Sequence, residues 1–178
     1  MQGGTIGGVF YSASNVPTTL PGVGNFLLGN FGSDLNFTGI AIVDPTTTET
    51  LPGGVVAASG FDVLTHAVES YTARPFTSRP RPAHPSQRPP YQGSTPYNDI
   101  GSLAAIRIGG KYLARAVRNP DDVEARHQLM FASTLAGLAF GSAGVHIPHA
   151  MSYSVATLKH DFTAEGYEER DPMVPHGI

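Results

Sequence analysis

At 178 residues the chain can bury a real core as one domain or a pair of small ones. Its net charge of −3, with only 14% charged residues, gives no electrostatic draw toward nucleic acid or anionic membrane. The absence of cysteine excludes disulfide scaffolds, thiolate zinc sites, iron–sulfur clusters and cysteine nucleophiles, so a metal site must be built from His, Asp and Glu.

The opening MQGGTIGG shows neither the charged and apolar regions of a secretory signal nor an Arg-rich amphipathic transit peptide. No continuous apolar run reaches the length of a membrane span, so no membrane partner is expected. Residues 1 to 39 are rich in Gly, Asn, Thr and Ser, with weak strand character at GGVFYSAS. A short buried-strand pattern follows at 39 to 45, GIAIVDP, stopped by Asp44-Pro45.

From Leu51 to Tyr71 the spacing turns helical, and Ser59 is a candidate cap for an inner helix carrying Phe61, Leu64 and Val68. Residues 74 to 96 hold seven prolines, four arginines and no acid, which predicts an irregular or polyproline-II-like excursion. Asn98-Asp99 reads as the cap of a helix through IGSLAAIRIGGKYLARAVR, weakened at its centre by Gly109-Gly110. Asn119-Pro120-Asp121-Asp122 is a stop-and-restart signal, with Asn as cap and Pro in the first turn. The helix after it, VEARHQLMFASTLAGLAF, is apolar and small toward its end, as in a segment surrounded by other helices. No internal repeat occurs. The pattern is a mainly α chain with a short irregular or β remnant at its start, and a Pro-rich loop at 74–97.

Asp62 and His66 stand at i and i+4, one turn apart on one helix face. Spacing alone leaves three readings open: a surface pair, a hydrogen-bonded core histidine, or half of a metal site. One constellation joins them to His149 and His176, a sulfur-free set that suits Fe(II), Zn(II) or Mn(II).

Several stretches in order carry a resemblance: GFDVLTHAVESYTA, EARHQLMFASTLAGLAFGSAGVHIPHAMSY and VPHGI. They resemble the iron-containing alcohol dehydrogenase family, whose pattern runs Gly-x-Asp-x-x-x-His-Ala-x-Glu-x-Tyr, Ala-Ser-x-x-Ala-Gly, His-Gly/Ala-Met and Pro-His-Gly. The matching positions are Gly60 to Tyr71, Ala132 to Gly137, His149-Ala150-Met151 and Pro175-His176-Gly177. The resemblance runs from about Ile40 to the last residue. It implies the helical metal-binding domain of the dehydroquinate synthase-like fold over 46–178, with Asp62, His66, His149 and His176 as metal ligands. It also implies Fe(2+), with Zn(2+) as the alternative, and a nicotinamide cofactor, NAD(P), to take the hydride.

Within the family, RPRPAHPSQRPPYQGSTPYNDI, KYLARAVRNPDDVEAR and the long gap between His149 and His176 resemble the hydroxyacid–oxoacid transhydrogenase branch. That likeness implies a mitochondrial enzyme passing a hydride from 4-hydroxybutyrate to 2-oxoglutarate; without it, a cytoplasmic location would be the expectation. Another alcohol substrate is the alternative within the family. Tyr153 stands where many members carry a second histidine, as a substrate-bonding or proton-relaying residue or as a packing one. His146 suits a pocket-lining or helix-end role. His84, His127 and His160 read as solvated. Arg74, Arg79, Arg81 and Arg88 either offer guanidinium forks to a dicarboxylate or keep an exposed loop soluble.

The family's Gly-Gly-Gly-Ser turn and Thr-Thr-x-Gly-Thr-Gly-Ser-Glu segment do not occur in these residues, and VPTT at 16 to 19 matches only the start of the latter. Residues 1–45 therefore read as an aberrant remnant of the nucleotide-binding domain. Two functions follow as expectations: a metal-dependent hydride-transfer enzyme, or a metal-binding helical module without turnover. Helices whose apolar faces lack that domain are expected to be poorly stable or to associate as homo-oligomers.

Overall fold

The computed structural model describes residues 43–89, 91–158, 161–168 and 172–178. Residues 39–42 of the predicted strand, the rest of the 1–42 segment and His160 lie outside the described residues, while Val43 and Asp44 form no strand and Pro45 starts a 3-10 turn. Within them the chain is helical: α1 (Gly53–Thr72), α2 (Pro96–Arg118), α3 (Val123–Ala143) and α4 (Ile147–Ala156). One isolated bridge joins Thr163 to Met173 in the C-terminal segment. Among the described residues no single helix is long and apolar enough to cross a membrane.

Helices α1, α2 and α3 pack on one another around Val56, Val63, Leu113, Leu129 and Met130, with alanines 67, 105, 116, 125, 132 and 136 filling the seams. Small residues let the backbones come close, and two glycines sharpen this. A Cβ on Gly60 of α1 would fall 2.2 Å from Leu113 Cδ1 of α2, and one on Gly109 of α2 would fall 2.4 Å from Leu64 Cδ2 of α1. Each helix thus offers a notch that takes the other's leucine. Helix α2 runs unbroken through Gly109-Gly110, where the close packing of Leu64 on Gly109 offsets a low helix propensity.

The caps differ from the sequence expectations. Helix α1 begins at Gly53, so Ser59 lies inside it, its hydroxyl donating to Val55 O at 2.7 Å. Helix α2 is capped by Thr95, which accepts from Asn98 N at 3.2 Å, with Pro96 in the first turn. Asn119 ends α2, and Asp122 caps α3 by accepting from Ala125 N at 3.0 Å. Asp122 also takes two hydrogen bonds from Arg115, from Nε at 2.8 Å and Nη2 at 3.0 Å, which fastens the α2–α3 turn.

The Pro-rich loop is irregular, with two short 3-10 turns, Phe76–Ser78 and Pro85–Gln87. Arg74 Nη2 donates to Ser78 O at 2.6 Å, holding the loop itself together. On the other flank, buried Arg126 of α3 donates to the carbonyls of Thr48 and Leu51, tying the 3-10 turn Pro45–Thr48 to the bundle. Its neighbour His127, expected in solvent, is half-buried, with Nε2 enclosed. His84 is exposed, as expected, and its Nδ1 lies 2.8 Å from Ser86 Oγ.

Candidate metal centre

Helical spacing stacks Asp62, His66 and Glu69 along one buried face of α1. Helix α3 ends at Ala143, and α4 leaves it at 107°, which turns His149 back onto that face. The C-terminal segment then lays His176 beside both. A Cβ on Gly177 would meet Ala58 O at 2.2 Å and Asp62 Cβ at 3.0 Å, so only a glycine allows the chain this near to α1.

Three of the four sequence-predicted ligands converge. His149 Nε2 lies 3.2 Å from Asp62 Oδ1, and His176 Nε2 lies 3.5 Å from Asp62 Oδ2. One donor atom each from Asp62, His149 and His176 falls within 4.8 Å of the others. His66 is adjacent but oriented differently. Its Nδ1 is 3.7 Å from Asp62 Oδ1, and its ring is stacked between Phe140 at 4.2 Å and His149 at 4.4 Å. Tyr153, one turn beyond His149 on α4, sits at the rim, its ring centre 6.0 Å from that of His149 and 5.6 Å from that of His176.

The electrostatics follow from burial and mutual contact. Burial alone would raise the Asp62 pKa, but contacts with His149 and His176 and the charge of His66 outweigh it and hold the carboxyl well below the usual range. Burial pushes the His66 imidazole down to about 4, against the pull of Asp62. For His149 burial also disfavours the charged ring, but the hydrogen bond with Asp62 and the charges of Glu69 and Asp62 win, and its pKa is raised. Asp62 is therefore an ionised carboxylate beside a neutral imidazole.

This donor set fits a divalent cation of the Fe or Zn kind: one carboxylate, several imidazoles and no sulfur. Asp62 Oδ2 is buried and faces His176 Nε2 at 3.5 Å, a long contact that leaves the oxygen lone-pair capacity for a cation. Sequence reasoning gave no role to two residues that shape the centre. Glu69, the Glu position of the Gly60 to Tyr71 motif, accepts from the backbone N–H of His146 at 2.8 Å and of His149 at 2.9 Å. It also accepts from His149 Nδ1 at 2.9 Å. Phe140 had no signal beyond its place in an apolar run. His146 takes the helix-end role, at the N-cap of α4, with Nε2 3.1 Å from Thr72 Oγ1.

Comparison with known proteins agrees with this architecture. A family model described as Fe-containing alcohol dehydrogenase family, C-terminal, matches residues 91–161. The chain is 54% identical over 140 residues to a hydroxyacid-oxoacid transhydrogenase, mitochondrial, of Rattus norvegicus, and 51% identical to that of Homo sapiens. In both cases 78% of this chain and 30% of the relative are covered, so the chain spans under a third of these relatives' length. Among solved structures, a sulfoacetaldehyde reductase from Bifidobacterium kashiwanohense in complex with NAD+ aligns at 29% identity and a TM-score of 0.57. That alignment covers 78% of this chain and 29% of that one. A 1,3-propanediol oxidoreductase aligns with a TM-score of 0.56 at 29% identity, over 75% of this chain and 27% of that one.

Proposed function

We propose that this chain, which carries the helical domain of the iron-containing alcohol dehydrogenase family, supplies the metal-holding part of a mitochondrial hydride-transfer enzyme. The reaction type is that of a hydroxyacid–oxoacid transhydrogenase: 4-hydroxybutyrate gives its hydride to bound NAD(P), which then reduces 2-oxoglutarate. The observation that carries the reading is the convergence of Asp62, His149 and His176 donor atoms within 4.8 Å, from α1, α4 and the C-terminal segment. Support for the substrate class comes from the names of the relatives at 54% and 51% identity.

Asp62, His66, His149 and His176 would hold the cation, Fe(2+) with Zn(2+) as the alternative. When bound, such a cation supplies Lewis acidity toward an alcohol or carbonyl oxygen. The chain's own groups do the rest. Asp62, ionised, offsets the cation's charge, and His66, kept neutral by burial, has a lone pair to offer. Phe140 covers the far face of His66 with an apolar ring and keeps water from that side. Tyr153 stands at the open rim, where its hydroxyl can bond a substrate oxygen. The hydride itself needs the nicotinamide, since side chains cannot accept one.

The test is metal content after purification, followed by NAD(H) binding and 4-hydroxybutyrate oxidation coupled to 2-oxoglutarate. Stoichiometric Fe or Zn that is lost in His149→Ala is the expected result. Metal-free protein that takes up neither Fe(2+) nor Zn(2+) would sink the assignment. Metal uptake without nucleotide binding would reduce the function of this chain to metal binding.

A further inference from the structure

Helix α4 begins at His146, an N-cap position whose side chain makes no capping hydrogen bond. The donors a cap would satisfy are instead taken from across the fold. Glu69 Oε2 accepts from His146 N at 2.8 Å, and Oε1 accepts from His149 N at 2.9 Å. The same carboxylate also takes the His149 ring: Nδ1 lies 2.9 Å from Oε2. Glu69 is 1% exposed, so these bonds are made away from water. We propose that Glu69 is the positioning residue of this centre, holding backbone and ring of His149 together so that Nε2 is presented to Asp62.

Two constraints act through one side chain. A carboxylate only accepts, so its contact with Nδ1 requires the proton there and leaves Nε2, 3.2 Å from Asp62 Oδ1, as the ring atom for a ligand. The backbone bonds fix where α4 starts, and an anion at a helix N-terminus is favoured by the dipole. A carboxylate behind a ligating histidine typically changes metal affinity 10–100-fold. The inference rests on the proposed metal reading only for that last effect.

Glu69→Gln keeps shape but has a single acceptor oxygen, so it cannot serve both backbone amides and the ring. Three measurements apply: hydrogen exchange at the amides of His146 and His149 and the NMR signal of the His149 Nδ1 proton, both in metal-free protein, and Co(2+) affinity by its absorption bands. In the wild type both amides should be protected and the Nδ1 proton strongly deshielded. Glu69→Gln should speed exchange at least tenfold and weaken Co(2+) binding roughly 10–100-fold. Co(2+) affinity within twofold of wild type would reduce Glu69 to a helix cap and overturn the proposal. If wild type binds no Co(2+), the metal reading fails by itself, and the amides and Nδ1 proton decide the case for Glu69. Should the variant not fold, an absent Nδ1 signal or unprotected amides in wild type would still overturn it.

Discussion

Phe140 of α3 lies flat on His66 of α1, the ring centres 4.2 Å apart and the planes 13° from parallel. Burial between these helices brings His66 down to about 4, against the pull of Asp62. The sign is set by the unfolded chain, where the histidine titrates near 6.5 and binds its proton first. The stability this group contributes is therefore present above pH 6.5 and lost as pH falls toward 4, roughly 3 kcal/mol in all. His149 acts in the opposite sense, since its raised pKa gives stability below 6.5 that fades as pH rises through the folded value. In chelator-treated protein, His66→Gln should flatten the fall in urea midpoint between pH 6.5 and 4. An unchanged pH profile would mean that His66 is not the neutral, buried ring described.

Gly109 and Gly110 are neighbours in one helix with opposite surroundings. A Cβ at Gly109 would collide with Leu64, at 2.4 Å from Cδ2 and 2.9 Å from Cγ, whereas nothing lies within 4 Å at Gly110. Gly110→Ala should therefore stabilise by up to about 1 kcal/mol through helix propensity. Gly109→Ala should destabilise by about 1–2 kcal/mol, because overpacking exceeds that gain. Chemical denaturation of the two variants reads the sign directly, and equal signs would contradict the Leu64 notch.

Arg126 is 1% exposed and spends its charge on two carbonyls, Thr48 and Leu51. Arg126→Met keeps the apolar stem but strips both acceptors of their donor, which should cost roughly 2–3 kcal/mol. Urea unfolding measures the loss. A variant within about 0.5 kcal/mol of wild type would show that water replaces the guanidinium at no cost.

Gly177→Ala should act on the centre rather than on the bundle. Its Cβ has no room at 2.2 Å from Ala58 O, so the segment carrying His176 must lift from α1. Zn(2+) affinity, read by competition with a chelator, should fall at least tenfold while far-UV circular dichroism stays unchanged. Unaltered affinity would remove His176 from the ligand set.

The helices were legible in the sequence because their breakers are strong: the Pro-dense loop falls between α1 and α2, and Asn119-Pro120 between α2 and α3. Caps were less so. Ser59, Asn98 and Asn119 have the right chemistry for a cap, but the neighbouring Gly53, Thr95 and Asp122 mark the actual starts, and local chemistry alone does not rank them. The proposed ligand positions came from family resemblance, and the fold brings three of them, Asp62, His149 and His176, to one place. Glu69 stands at a motif position, but its role escaped because its partners lie 77 and 80 residues away, and the segment itself does not show a distant backbone. Arg126 escaped likewise, its acceptors being 78 and 75 residues off.

Only His149 is buried among the ten residues of α4, and a helix that short does not persist in water unaided. Its hold on the bundle is thus ionic and hydrogen-bonded rather than greasy, concentrated at Glu69 and Asp62. An attachment of that kind answers to protons and cations, where an apolar seam would not. Whatever occupies the cluster also decides how firmly α4 and the C-terminal segment are clasped, making the site a fastener as well as a place for chemistry.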